Sequence, residues 1–147
     1  MRQMLEADFS SVIASLAEMV ARMHDTSPVM ERIGAAELLE AQQRIIGTKI
    51  GSDHEPWQPW RARTQQERAE KGNASQGLLW DTGTLLHSLG VEVSASGVLI
   101  GSDVDYAIDL QDGTDIMDAR PFLGWDAETL PEYAGWLTAF IEYGSAT

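Results

Sequence analysis

A chain of 147 residues, 44% hydrophobic and 22% charged, has the make-up of one soluble globular domain large enough for its own core. It contains no cysteine, which excludes disulfides, thiol chemistry and thiolate metal sites. Its 23 acidic and 10 basic residues leave a net charge of −13, a surface that repels nucleic-acid phosphates and anionic membranes.

Leu5, Phe9, Val12, Ile13, Leu16, Met19, Val20 and Met23 recur at steps of three and four, which predicts an amphipathic helix over residues 4–24. Glu6, Asp8 and Glu18 interrupt this stretch, so no apolar run suits a signal peptide or a membrane span, and synthesis in the cytoplasm is expected. His24-Asp25-Thr26 breaks the helix. Ser27-Pro28 then reads as N-cap and first helical position of a second helix, which carries Met30, Ile33, Leu38, Ala41 and Ile45 and stops at Gly47.

Residues 51–77 form a polar connection punctuated by proline and glycine, helical only over 64–71. Trp57 and Trp60 sit in this loop, and burying their large rings would pin it to the body of the protein. The cations of 61–71 are balanced by two glutamates, the pattern of a solvated helix rather than a DNA patch. Val91, Val93, Val98 and Ile100 alternate around Ala95-Ser96-Gly97 and predict a β-hairpin. Tyr106-Ala107-Ile108 begins a further short element, Asp112-Gly113-Thr114 is a turn, and Arg120-Pro121-Phe122-Leu123-Gly124 reads as a late strand. A last helix is expected from Thr129 to Tyr143, with Leu130, Tyr133, Trp136, Leu137, Phe140 and Ile141 on its apolar face. The expected fold is α+β in a single domain: a helical part over 1–46, a long loop over 47–77, and a small antiparallel sheet with a C-terminal helix over 78–147.

The triplet Asp81-Thr82-Gly83 matches the half-site of a dimeric aspartic protease, the main catalytic alternative. In such an enzyme β structure follows the triplet. Here Leu85, Leu86 and Leu89 share a helical face, Asp81 and Thr82 are N-cap candidates, and Gly90 stands where a C-cap belongs. The run Asp109–Asp115 fails as a calcium loop: glycine falls at position 5 rather than 6, and Arg120 occupies the twelfth place, where a glutamate is needed. Asp53-His54-Glu55 could hold an ion only weakly, because three adjacent residues do not converge unaided. No nucleophile motif or phosphate loop is present, so neither metal, cofactor nor catalytic residue is expected. A cytoplasmic regulatory binding protein stays open as a third reading.

The order of these pieces carries more than any one of them. A Trp-x-x-Trp loop precedes Leu79 through Leu89, in which Thr82, Gly83, Leu85 and Ser88 stand as Leu-x-x-Thr-Gly-x-Leu-x-x-Ser. A hairpin, Tyr106-Ala107, Gln111-Asp112-Gly113 and Arg120-Pro121-Phe122-Leu123-Gly124 follow. Over roughly residues 28–143 this resembles the phage virion morphogenesis, or tail-completion, family of Mu-like and related tailed phages and prophages. The resemblance implies a tail-completion-like fold and a structural protein without catalysis at the head–tail neck or tail terminus of the virion, made in the host cytoplasm. It implies partnership with copies of itself in a ring, commonly six-fold, and with other neck, tail or connector proteins. DNA would only pass through a channel, and no membrane is involved; the net charge of −13 adds the expectation that acidic side chains face that channel, so that DNA slides. Trp57, Trp60, Leu79, Asp81, Thr82, Gly83, Leu85, Ser88, Tyr106, Ala107, Gln111, Gly113, Arg120, Pro121, Phe122 and Gly124 would set fold and interface geometry.

Overall fold

The computed structural model describes residues 8–75 and 77–145. Helix α1 (Ser10–His24) is followed by α2 (Ser27–Gln43), which runs into a π-helical turn at Arg44–Thr48. Helix α3 (Ala62–Glu70) lies in the long connection, and α4 (Thr84–Ser88) leads straight into β1 (Leu89–Ser94). Strand β2 (Gly97–Ser102), helix α5 (Ala107–Asp112) and helix α6 (Leu130–Tyr143) complete an α+β fold. Residues 4–7 of the expected first helix lie outside the described residues. No described helix is long and apolar enough to cross a membrane.

The sheet is the β1–β2 hairpin, antiparallel, with Val91 opposite Ile100 and Val93 opposite Val98. Helix α2 crosses it because Gly34 removes a side chain at the contact. A Cβ there would come within 2.5 Å of Val91 Cγ1 and 2.9 Å of Val98 Cγ2, both on branched side chains with little rotamer freedom. Thr26 ties the start of α2 to the hairpin tip, its amide and hydroxyl each donating to Ala95 O at 2.8 Å.

Two apolar clusters flank α2. One joins Ala41, Ile45, Trp57, Leu85, Leu89, Ala107 and Phe122; the other joins Val29 and Ile33 to Tyr133 and Phe140 of α6. Trp57 thus anchors the long connection in the core, as burial of its ring required. In the second cluster the Tyr133 hydroxyl donates to Glu37 Oε1 at 2.7 Å, and Glu37 is buried. Burial first, then the hydrogen bond and negative charge of Glu37, push the phenol up to about 12 from its ordinary 10.0. The folded state holds this proton more tightly, so the stability it contributes is fully present below pH 10 and is lost as pH rises toward about 12. Thermal melts of the intact chain should therefore fall across that interval. Tyr133→Phe should lack this component and, by leaving Glu37 without its donor, lose about 1–3 kcal/mol at neutral pH.

The structure corrects several local expectations. The cap of α2 is Thr26 rather than Ser27, whose hydroxyl bonds instead to Asp25 Oδ1 at 2.6 Å. α1, for which the sequence named no neighbour, packs against α6. The short element at residues 106–108 is the start of helix α5, with Tyr106 as its N-cap. Arg120–Gly124 is irregular and joins no sheet, for a reason that lies in Gln111. Gly90 is the second residue of β1, and the extended backbone of Leu89 ends α4 in its place.

Candidate functional site

The segment carrying the Thr-Gly motif is shaped by two left-handed residues. Leu79 has φ 60°, a costly conformation for a bulky side chain, and Gly83 has φ 81°. Gly83, not Asp81 or Thr82, is the N-cap of α4: its carbonyl accepts from His87 N at 3.0 Å. Glycine takes the place because the chain must turn with positive φ just before the helix. The Thr82 hydroxyl sits 2.6 Å from that of Thr84, and Ser88 Oγ lies 2.7 Å from Leu85 O and 2.6 Å from Ser102 Oγ, tying α4 to β2.

An open cleft of about 590 Å³ lies beside this segment. Its walls are the Trp60–Arg68 stretch, residues 79–85, the Tyr106–Leu110 stretch and the loop 116–120. It gathers half of the residues singled out from the sequence: Trp60, Leu79, Asp81, Thr82, Gly83, Leu85, Tyr106 and Arg120. The Arg68 guanidinium lies 4.2 Å from the Trp60 ring centroid, donates to Trp80 O at 2.6 Å and stands 3.7 Å from Asp81. Asp81 also accepts from Asn73 Nδ2 at 2.7 Å. Asp118 lines the cleft as well, 3.8 Å from Arg61. Each carboxylate therefore faces an arginine rather than the other carboxylate. An aspartic protease instead needs two carboxylates sharing one proton.

Beneath the cleft, Gln111 explains why residues 120–124 stay extended without a sheet. Its Oε1 accepts from the amides of Phe122 and Leu123, each at 3.0 Å, and its Nε2 donates to Leu123 O at 2.7 Å. One side-chain amide thus supplies the donor and acceptor that a neighbouring strand would offer. Ser52 Oγ donates to Leu123 O at 3.0 Å, Ser52 N to Pro121 O at 2.9 Å, and a Cβ on Gly124 would strike Ser52. The buried Arg44 donates to Phe122 O at 3.2 Å and Gly124 O at 3.4 Å. Arg120, also buried, holds Gln58 O with Nε at 3.3 Å and Nη2 at 3.0 Å. Burial pushes its pKa below the usual arginine range, against the opposing pull of Asp118. Phe122 and Ala107 fall in the core, and Gly113 turns the chain between α5 and the loop.

The sequence reading missed Arg44, Arg61, Arg68 and Ile116. A signal for Arg44 existed: Ile33, Glu37, Ala41 and Arg44 continue one helical stripe, so two charged residues occupy buried positions, Glu37 in α2 and Arg44 at the start of the π-helical turn. Asp53 and Glu55 do not join His54, whose Nε2 lies 3.3 Å from Asp126 instead. Among the described residues no group of three His, Asp or Glu side chains is placed to hold a metal ion.

A hairpin crossed by one helix, with a clamped peptide under an arginine-rimmed cleft, defines a small α+β protein whose distinctive residues hold shape. The chain belongs to the phage virion morphogenesis family, whose model matches residues 7–141. Neither the comparison with curated proteins nor that with solved structures finds a match. Family membership gives the chain a role in building phage virions and points to a structural, virion-associated protein.

Proposed function

We infer that the protein completes the phage tail, or joins head to tail, as a non-catalytic subunit working in a ring of copies at the neck or tail terminus. The family match over residues 7–141 carries this reading. Engagement of Asp81 by Arg68 and Asn73 supports the absence of proteolysis. Acidic side chains face the channel in this reading, because a net charge of −13 lets passing DNA slide rather than adhere. The partners are further copies and neighbouring neck or tail proteins.

Deleting the gene from its phage should leave heads and tails unjoined, or tails of aberrant end structure, in electron micrographs. Complementation with Asp81→Asn should restore whole particles. Intact particles in the deletion would overturn the assembly role, and a failure of well-folded Asp81→Asn would reopen the enzymatic one.

A further inference from the structure

Helix α1 keeps an apolar stripe in water. Phe9 (63% exposed), Val12 (53%), Ile13 (64%), Leu16 (56%), Val20 (52%) and Met23 (60%) lie along one side of it. Every residue from Asp8 to Glu18 is exposed, and only Met19 and Arg22 are partly covered, where the C-terminal half of α1 meets α6. The N-terminal half therefore projects. Five large side chains along a helix of 15 residues, roughly 22 Å long, with Phe9 at its cap, present the kind of exposed apolar patch that marks a protein contact.

The same chain carries a receptor of matching character. The cleft beside α4 has Leu79, Leu85 and Leu110 in its walls, with Ile116 78% exposed and Tyr106 44% exposed. A volume of about 590 Å³ accepts a few large side chains from one turn or two of a helix. Charge selects the occupant. The cleft has three arginines, Arg61, Arg68 and Arg120, against two carboxylates, Asp81 and Asp118, a local excess of one positive charge in a chain of −13. From Asp8 to Leu16 the projecting segment carries a single charged residue, the acidic Asp8, while Glu18 further along pairs with Arg22 at 3.9 Å. No residue of α1 lines the cleft of its own chain.

We propose that the projecting half of α1 from one copy inserts its Phe9–Leu16 face into the Trp60–Ile116 cleft of the next copy. The contact is heterologous: donor and receptor are different surfaces, so each subunit has one of each left to offer, and successive contacts close into a ring if the rotation allows. The inference rests on the reading of the chain as a subunit that works in copies, and specifies which surfaces meet.

The absence of cysteine makes the test direct. Full-length Leu16→Cys and Ile116→Cys proteins, both altered at exposed positions, are oxidised separately and as a mixture, then run on non-reducing gels. The mixture should yield cross-linked dimer in at least tenfold excess over either variant alone, and a chain bearing both substitutions should yield a ladder. Dimers of Leu16→Cys alone would mean that α1 pairs with α1, and would overturn the proposal, as would equal cross-linking in all three samples or none. Native mass spectrometry of the unaltered chain separates the two levels of failure. A multi-subunit mass without mixed dimers sinks this contact but leaves the ring, whereas a monomer mass sinks both.

Discussion

Phe122→Ala is expected to lower stability by about 4 kcal/mol, a fall in Tm on the order of 10–15 °C for a chain of this size. Phe122 is fully buried between the π-helical turn, the tryptophan of the long connection and the base of α4, where it joins Ile45, Trp57 and Leu85. Truncation removes the transfer energy of a phenyl ring and leaves a void among neighbours that are fixed independently. The Phe122 carbonyl is held by Arg44 and its amide by Gln111, so the backbone cannot move inward to fill the space. Differential scanning calorimetry measures the loss. Phe122→Leu, which keeps most of the volume, should lose less than about 1.5 kcal/mol. Because Leu85 also forms part of the cleft wall, the alanine variant should loosen that wall as well as the fold.

Gly113→Ala should cost about 3 kcal/mol, although it adds a single carbon. Gly113 has φ 75° and ψ 176°, a region of backbone space that belongs to glycine alone. An added Cβ would stand 2.7 Å from Ala119 N and 2.8 Å from Met117 O, backbone atoms that cannot rotate away. Those atoms belong to the loop leading into Arg120, so the damage should spread to the clamp around Gln111. Gly135→Ala is the control, since a Cβ there meets nothing within 4 Å and the position is an exposed turn of α6. It should raise stability by roughly 0.5–1 kcal/mol. Equal urea midpoints for the two variants would remove the steric argument.

The elements with strong periodicity were legible in the sequence: the stripes of α1 and α6, the Val–Ile alternation of the hairpin, and the apolar face of α2. Each repeats over many residues and depends only on its own segment. What depended on distant partners was not legible. Residues 120–124 look like a strand because Pro121 forces extended backbone, but their hydrogen bonds go to Gln111, Ser52 and Arg44. Residues 106–108 carry a tyrosine and an isoleucine that suit a strand, yet α5 forms because Ala107 packs into the core beside Phe122. The Thr-Gly motif could be placed at a helix start without the structure. Its capping glycine could not, since that identity depends on a positive φ. The cleft itself was half visible, as the motif residues that line it, Arg120 among them, while Arg61 and Arg68 came from the segment taken to be merely solvated.

Helix α4 ends at Ser88 and β1 begins at Leu89, with no residue between them to act as a hinge. Across that junction the Ser88 and Ser102 hydroxyls, 2.6 Å apart, bolt the helix to the opposite strand. A load placed on the cleft wall therefore has no slack to take up before it reaches the ribbon, and through Gly34 the long helix lying on it. The protein is built like a bracket, stiff along the wall of its cleft.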